Sequence, residues 1–145
     1  MKLSESTLSL LKNFSTINQS ILFKQGNRLR TISVMKNILA EATISEDLPK
    51  DFGIYDLNQF LNGLALHNNP ELDFEDDSYV IIKEGRSRSK YFFADPNVII
   101  TPPEKSITLP SEDVTFQLST DQLDKLLRQQ QFINHLIYQL LVRMG

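Results

Sequence analysis

The sequence predicts an α+β fold in which short helices pack on one face of antiparallel sheets. Three stretches of helical period each open on a capping residue and carry a single leucine-rich stripe. The runs between them are rich in β-branched and aromatic residues and are bounded by glycine, asparagine, aspartate and proline. Read along the chain, the order is helix, strands, helix, strands, connector, strand, helix.

The first helix is predicted over Ser4–Ile17. Leu3, Leu10, Leu11, Phe14 and Ile17 recur at spacings near three, four and seven, and Ser4 is placed to cap the start. Its other side is polar, with Glu5, Ser9, Lys12, Asn13 and Thr16. Three β segments follow as a meander: Ser20–Lys24, a turn at Gln25–Asn27, Arg28–Val34, a turn at Met35–Asn37, and Ile38–Ile44. In the last of these, Ile38, Ala40, Ala42 and Ile44 share a face opposite Leu39, Glu41 and Thr43. Glu46–Lys50 reads as a connection and Phe52–Tyr55 as a strand. A second helix begins after Asp56, with Gln59 three residues on, and its stripe is Leu57, Phe60, Leu61 and Leu64, opposite Asn58 and Asn62. Beyond Pro70 the chain returns to β structure: "ELDF", a turn at Glu75–Asp77, "SYVIIK", a basic turn "EGRSRSK", and "YFF". Asp95–Glu112, proline-bearing and without helical period, reads as an irregular connector. "VTFQLS" restarts β structure. Ser119 with Gln122 then forms a capping box before Leu123, Leu126 and Leu127, with Lys125 and Arg128 opposite and Asp121 in the first turn.

A chain of 145 residues accommodates one well-packed domain with little left for another. Its 41% hydrophobic and 23% charged content is that of an ordinary globular protein. The formal charge of -3 argues against a general nucleic-acid binder, so any such role rests on where the charges lie. Without cysteine there are no disulfides or thiolate metal sites. The N-terminus lacks a continuous apolar run, so a cytosolic protein without membrane contact is expected.

Catalysis finds no footing, and neither a cofactor nor a metal is expected. The two histidines, His67 and His135, are far apart in sequence, and the five glycines are scattered rather than gathered into a phosphate-cradling loop. The carboxylates Glu71, Asp73, Glu75, Asp76 and Asp77 lack the glycine and terminal glutamate of a calcium loop and read as a charged hairpin end. Lys2, Lys12, Lys125 and Arg128 each lie beside or on the non-apolar side of a helix that would cover a sheet. Taken singly they are solubilising charges; together they could line a surface for backbone-directed DNA contact, which Glu5 and Asp121 would dilute.

"MKLSESTLSLLKNFSTIN", "IYDLNQFLNGLAL", the Ala94–Pro96 triplet and "LSTDQLDKLLR", in that order and at those intervals, resemble the sliding clamps of T-even-like tailed phages. These are the processivity factors of the replicative DNA polymerase. The resemblance runs from Met1 to about Arg128. It implies a non-enzymatic ring of three subunits closed head to tail, each with two similar α+β clamp domains, with helices lining the hole and sheets outside. Under it, residues 1–110 are the N-terminal clamp domain with its connector, and 111–145 begin a second, incomplete one. Lys2, Lys12, Lys125 and Arg128 would face DNA. The partners implied are duplex DNA through its backbone, the replicative polymerase, the clamp loader and two further copies of the chain in a homotrimer, in the cytoplasm of an infected bacterial host. ATP belongs to the loader. The alternative is a small acidic protein-interaction module of clamp-like fold that does not bind DNA.

From about residue 129 the tail "QQQFINHLIYQLLVRMG" departs from the family pattern. For suitable synonymous codons, the same DNA read one base earlier encodes a string that continues the helix and then offers a strand and a glycine-rich turn. The expectation is a clamp shortened by a single-base shift near Arg128, with an uninterrupted downstream frame in the gene. Alternatively Phe132, Ile133, Leu136, Ile137, Leu140 and Leu141 form a helix packed on the open side of the domain. A head-to-tail ring needs both faces of every heterologous contact. Cross-linking of this polypeptide is therefore expected to yield no closed three-membered ring, and a closed trimer would overturn that expectation.

Overall fold

The computed structural model describes residues 1–105, 111 and 114–129. The chain divides into two compact units, Met1–Pro102 and Pro103–Gly145. The readings of the tail beyond Gln129 lie outside the described residues.

In the first unit, α1 spans Glu5–Ile17 and buries Thr7, Leu11 and Phe14. Ser4, in extended conformation, accepts the Thr7 backbone N–H at 3.3 Å as the helix cap. A second acceptor comes from far along the chain. The Glu46 carboxylate receives the Ser4 backbone N–H, and the Thr7 hydroxyl donates to it at 2.7 Å. Burial alone would raise the pKa of Glu46. Hydrogen bonds from Thr7, from the Ser4 backbone and hydroxyl and from Ser45 outweigh it, and hold the carboxyl at about 2 against an ordinary 4.5. Thr7, 2% exposed, is the buried polar residue on a face that apolar spacing assigns to leucine. At the other end, buried Asn18 donates from Nδ2 to the Ile32 carbonyl at 2.8 Å and accepts the Ser20 N–H at 3.0 Å.

The strands are β1 (Ile21–Phe23), β2 (Gly26–Ile32), β3 (Leu39–Leu48), β4 (Phe52–Ile54), β5 (Glu71–Asp73), β6 (Tyr79–Glu84) and β7 (Ser87–Phe92), with α2 at Leu57–Ala65. All the pairings are antiparallel: β1 with β4, β2 with β3, and β5-β6-β7 in that order. The meander expected after α1 is thus corrected, because β1 pairs with β4 and not with β2. Gly26, at φ 105, redirects the chain without reversing it, and Asp51 fastens the bend by accepting from Lys24 Nζ at 2.8 Å and from the Gln25 N–H at 2.7 Å. β3 runs on through Glu46 to Leu48, into the predicted connection, with Ile44 and Leu48 facing inward. The predicted basic turn is mostly β7. Ser89 and Tyr91 face inward while Arg88, Lys90 and Phe92 are exposed, a period of two that small polar and charged side chains conceal in the sequence.

One core joins these parts. Leu11 and Phe14 of α1 and Leu57, Phe60 and Leu64 of α2 meet Leu29, Ile44, Leu72, Val80 and Ile82 from the strands. Phe52 stacks on Phe23, with ring centroids 4.6 Å apart, and also packs against Phe74 and Phe93. Asp56 caps α2 by accepting the Gln59 N–H at 2.9 Å, and the Tyr91 hydroxyl donates to the Asp56 carbonyl at 3.1 Å. The segment read as connector starts out docked: Ala94 bridges Gly53, Pro96–Val98 form a 3-10 turn, and Ile99 is buried. Gly53 permits this, because a Cβ there would stand 2.7 Å from both the Ala94 carbonyl oxygen and Ile99 Cδ1.

In the second unit, α3 spans Thr120–Gln129. Its capping box is reciprocal: Gln122 Oε1 accepts the Ser119 N–H at 2.9 Å and Ser119 Oγ accepts the Gln122 N–H at 3.3 Å. The strand predicted over Val114–Ser119 is not formed, and Val114 and Phe116 are exposed. A strand needs a neighbour for its ladder, and no described residues supply one.

The folded pKa of Glu46 lies below its unfolded value, so its stabilisation is complete above about pH 4.5 and disappears as pH falls toward about 2. Glu46→Gln is expected to cost about 1–2 kcal/mol at neutral pH and to flatten that part of the stability curve, as measured by urea unfolding across the acid range. Gly53→Ala is expected to cost about 1–3 kcal/mol in thermal unfolding, with no recovery on adding Ile99→Ala, since the Ala94 carbonyl is backbone.

Candidate nucleic-acid interface

α1 and α2 lie side by side over the sheets of the first unit. The Leu57 N–H donates to the Gln19 carbonyl at 2.8 Å, joining the start of α2 to the end of α1. Beyond the other end of α2, the Leu72 N–H donates to the Met1 carbonyl at 2.6 Å and the Met1 ammonium returns a bond to the Leu72 carbonyl at 2.8 Å. An open groove runs between the helices, with Leu8, Leu61 and Leu72 among its apolar walls and Ser9, Lys12, Asn58 and Asn62 among its polar ones. Each helix turns its leucine and phenylalanine stripe to the core, so period 3.6 puts these polar residues outward.

The outward face is amide and hydroxyl with sparse charge. Ser9, Lys12, Asn13, Asn58 and Asn62 are exposed. Ser15 and Thr16 turn their hydroxyls back on the helix, to the Lys12 and Asn13 carbonyls, each at 2.7 Å. Among the described residues no phenylalanine or tyrosine lines the groove, so it offers no such platform for stacking bases. A surface of this kind can meet phosphates directly or through water.

The positive charges of the first unit divide into two groups. One group, on the strands and their turns, is paired with acids: Lys24 with Asp51 at 2.8 Å, Arg28 and Arg30 with Glu41 at 2.5 and 3.0 Å, Lys50 with Asp77 at 2.9 Å, and Lys83 with Asp73; the other, without an ion-pair partner among the described residues, includes Lys36 and, on the last strand pair, Arg86, Arg88 and Lys90. Hydrogen bonding from Lys83 holds the Asp73 carboxyl below its usual range, and hydrogen bonding from Lys24 does the same for Asp51. Lys2 and Lys12, both exposed, have no ion-pair partner among the described residues. Glu5 is exposed on the same helix as Lys12.

The structure places Lys12 on α1 and Lys2 in the short segment ahead of its cap, Ser4. Lys125 and Arg128 are exposed on α3 of the second unit, three residues apart on one side. The sequence pattern finds the outward asparagines of α2 but misses His67, Asn68 and Asn69, which also line the groove. They follow the end of α2, where periodicity carries no signal.

A family model described as DNA polymerase processivity factor matches residues 2–101. The sliding clamp of Enterobacteria phage T4 is 39% identical to this chain over 129 residues, which is 88% of this chain and 56% of that protein. The sliding clamp of Escherichia phage RB69 is 37% identical over 88% of this chain and 56% of its own length, and that of Vibrio phage KVP40 is 33% identical over 87% and 58%. The chain thus spans a little over half the length of the relatives it matches. With antiparallel sheets carrying short helices and a match across nearly the whole first unit, the chain belongs to the DNA polymerase processivity factor family.

Proposed function

We propose that this chain contributes a clamp domain to a ring that encircles duplex DNA and tethers the replicative polymerase of a phage in its host cell. The observation that carries this reading is the outward face of the helix layer, where α1 presents Lys12 without an ion-pair partner among the described residues, on a surface of amides and hydroxyls. A device that slides needs attraction that is weak, salt-sensitive and indifferent to sequence, and enclosure supplies the retention that such attraction does not. No reaction is required of it.

Lys2, Lys12, Lys125 and Arg128 are the proposed phosphate-facing residues. The clamp loader and two further subunits complete the proposed assembly. The three-stranded sheet ends on β7, an edge that offers backbone groups to a neighbouring subunit.

Fluorescence anisotropy of the chain with short duplexes of unrelated sequence tests the DNA contact. Binding is expected to be equal across sequences, and log K to fall linearly with log salt. Lys2→Ala and Lys12→Ala are each expected to reduce the slope by about 0.9. A strong sequence preference, or binding that ignores salt, would overturn the reading.

A further inference from the structure

The densest run of basic residues in the first unit lies outside the helices, on the β6–β7 hairpin. Glu84 and Ser87 are its last paired residues, and Gly85 and Arg86 form the two-residue tip. Gly85 has φ 55 while Arg86 keeps a negative φ, so glycine stands at the first central position of the turn, where positive φ is required. Arg86 and Arg88 are exposed and, unlike Lys83 beside them, have no ion-pair partner among the described residues. Lys90 lies over the Tyr79 ring, 4.1 Å from its centroid. The acid nearest the tip, Glu84, is turned the other way, toward His67.

His67 sets where this hairpin stands. Its side chain is 6% exposed, with Nδ1 3.4 Å from Glu84 Oε2 and Nε2 3.3 Å from Ser89 Oγ. The same residue lines the groove between α1 and α2. A single imidazole therefore separates the groove from the tip end of the hairpin, at the end of the helix layer where Met1 is bonded to Leu72 and Lys2 follows. An arginine at such a tip is within side-chain reach of a phosphate lying along the groove, and its planar fork suits phosphate oxygens.

We propose that the β6–β7 hairpin is a second phosphate-contacting element, in which Arg86 at its tip binds the backbone of the duplex that the helix layer faces; Arg88, whose neighbour Ser89 meets His67, points to the opposite face of the sheet. The inference rests on the reading of the helix layer as DNA-facing. Duplex DNA carries one charge per about 1.7 Å of axis, so a strand crossing the groove presents phosphates to its rim as well. At that rim the unpaired guanidinium of Arg86 would add to the positive potential of Lys12.

The test compares the full chain with Arg86→Ala, Arg86→Lys and, as the control on the opposite face, Arg88→Ala in duplex binding across a salt series, with thermal unfolding as the check on folding. Arg86→Ala is expected to lower the log–log slope by about 0.9 at an unchanged unfolding midpoint. Arg86→Lys and Arg88→Ala are expected to keep the wild-type slope. An unchanged slope in Arg86→Ala, or an equal loss in Arg88→Ala, alongside reduced slopes for Lys2→Ala and Lys12→Ala, would overturn the hairpin and leave the helix-face reading standing. Wild-type binding indifferent to salt would remove the helix-face reading, and the hairpin with it.

Discussion

The Glu46 carboxylate at the start of α1 is the contact on which the helix layer depends. A helix leaves its first backbone N–H groups without intrahelical partners, and here an acceptor some forty residues away in sequence meets that need together with Ser4. The bond links α1 to β3, so the helix is oriented by the sheet as well as by its own apolar stripe. With Thr7, Leu11 and Phe14 committed to the core, the rotation of α1 about its axis is determined. Ser9, Lys12 and Asn13 then have only solvent to face.

The same logic extends to α2 and to the hairpin beyond it. Asp56 caps α2, its carbonyl receives the Tyr91 hydroxyl from β7, and His67 past the far end of α2 meets Glu84 and Ser89. The second helix is thus tied near both ends to the β6–β7 pair. Polar contacts near the helix ends thus hold the two helices against the β6–β7 pair, while the aromatic group around Phe52 packs within the same unit.

Charge is only partly neutralised over this frame. Five acid–base pairs lie on strands and their turns, and those that are solvent-exposed add little stability. Each cancels charge locally and so weakens the attraction of that patch for a polyanion. A chain of net charge -3 can still present unpaired cations such as Lys12, which composition alone would discount.

Much of this was legible in the sequence where the relevant physics is local. The helices begin at Ser4, Asp56 and Ser119 because short polar side chains satisfy nearby N–H groups, and their buried sides follow from the spacing of Leu11 and Phe14, and of Leu57, Phe60 and Leu64. Lys12 is on the outward face for the same reason, and the family resemblance carried by "LLKNFSTIN" and "IYDLNQFL" rests on these local segments. Long-range pairing was not legible. That β1 joins β4, that β3 continues to bring Glu46 under α1, that "RSRSK" is a strand, and that His67 bridges to Glu84 all depend on partners distant along the chain. Period and turn residues show where a strand lies and which way its side chains point, but the choice of neighbour is settled by the shared core. That core exists only once the whole unit has folded.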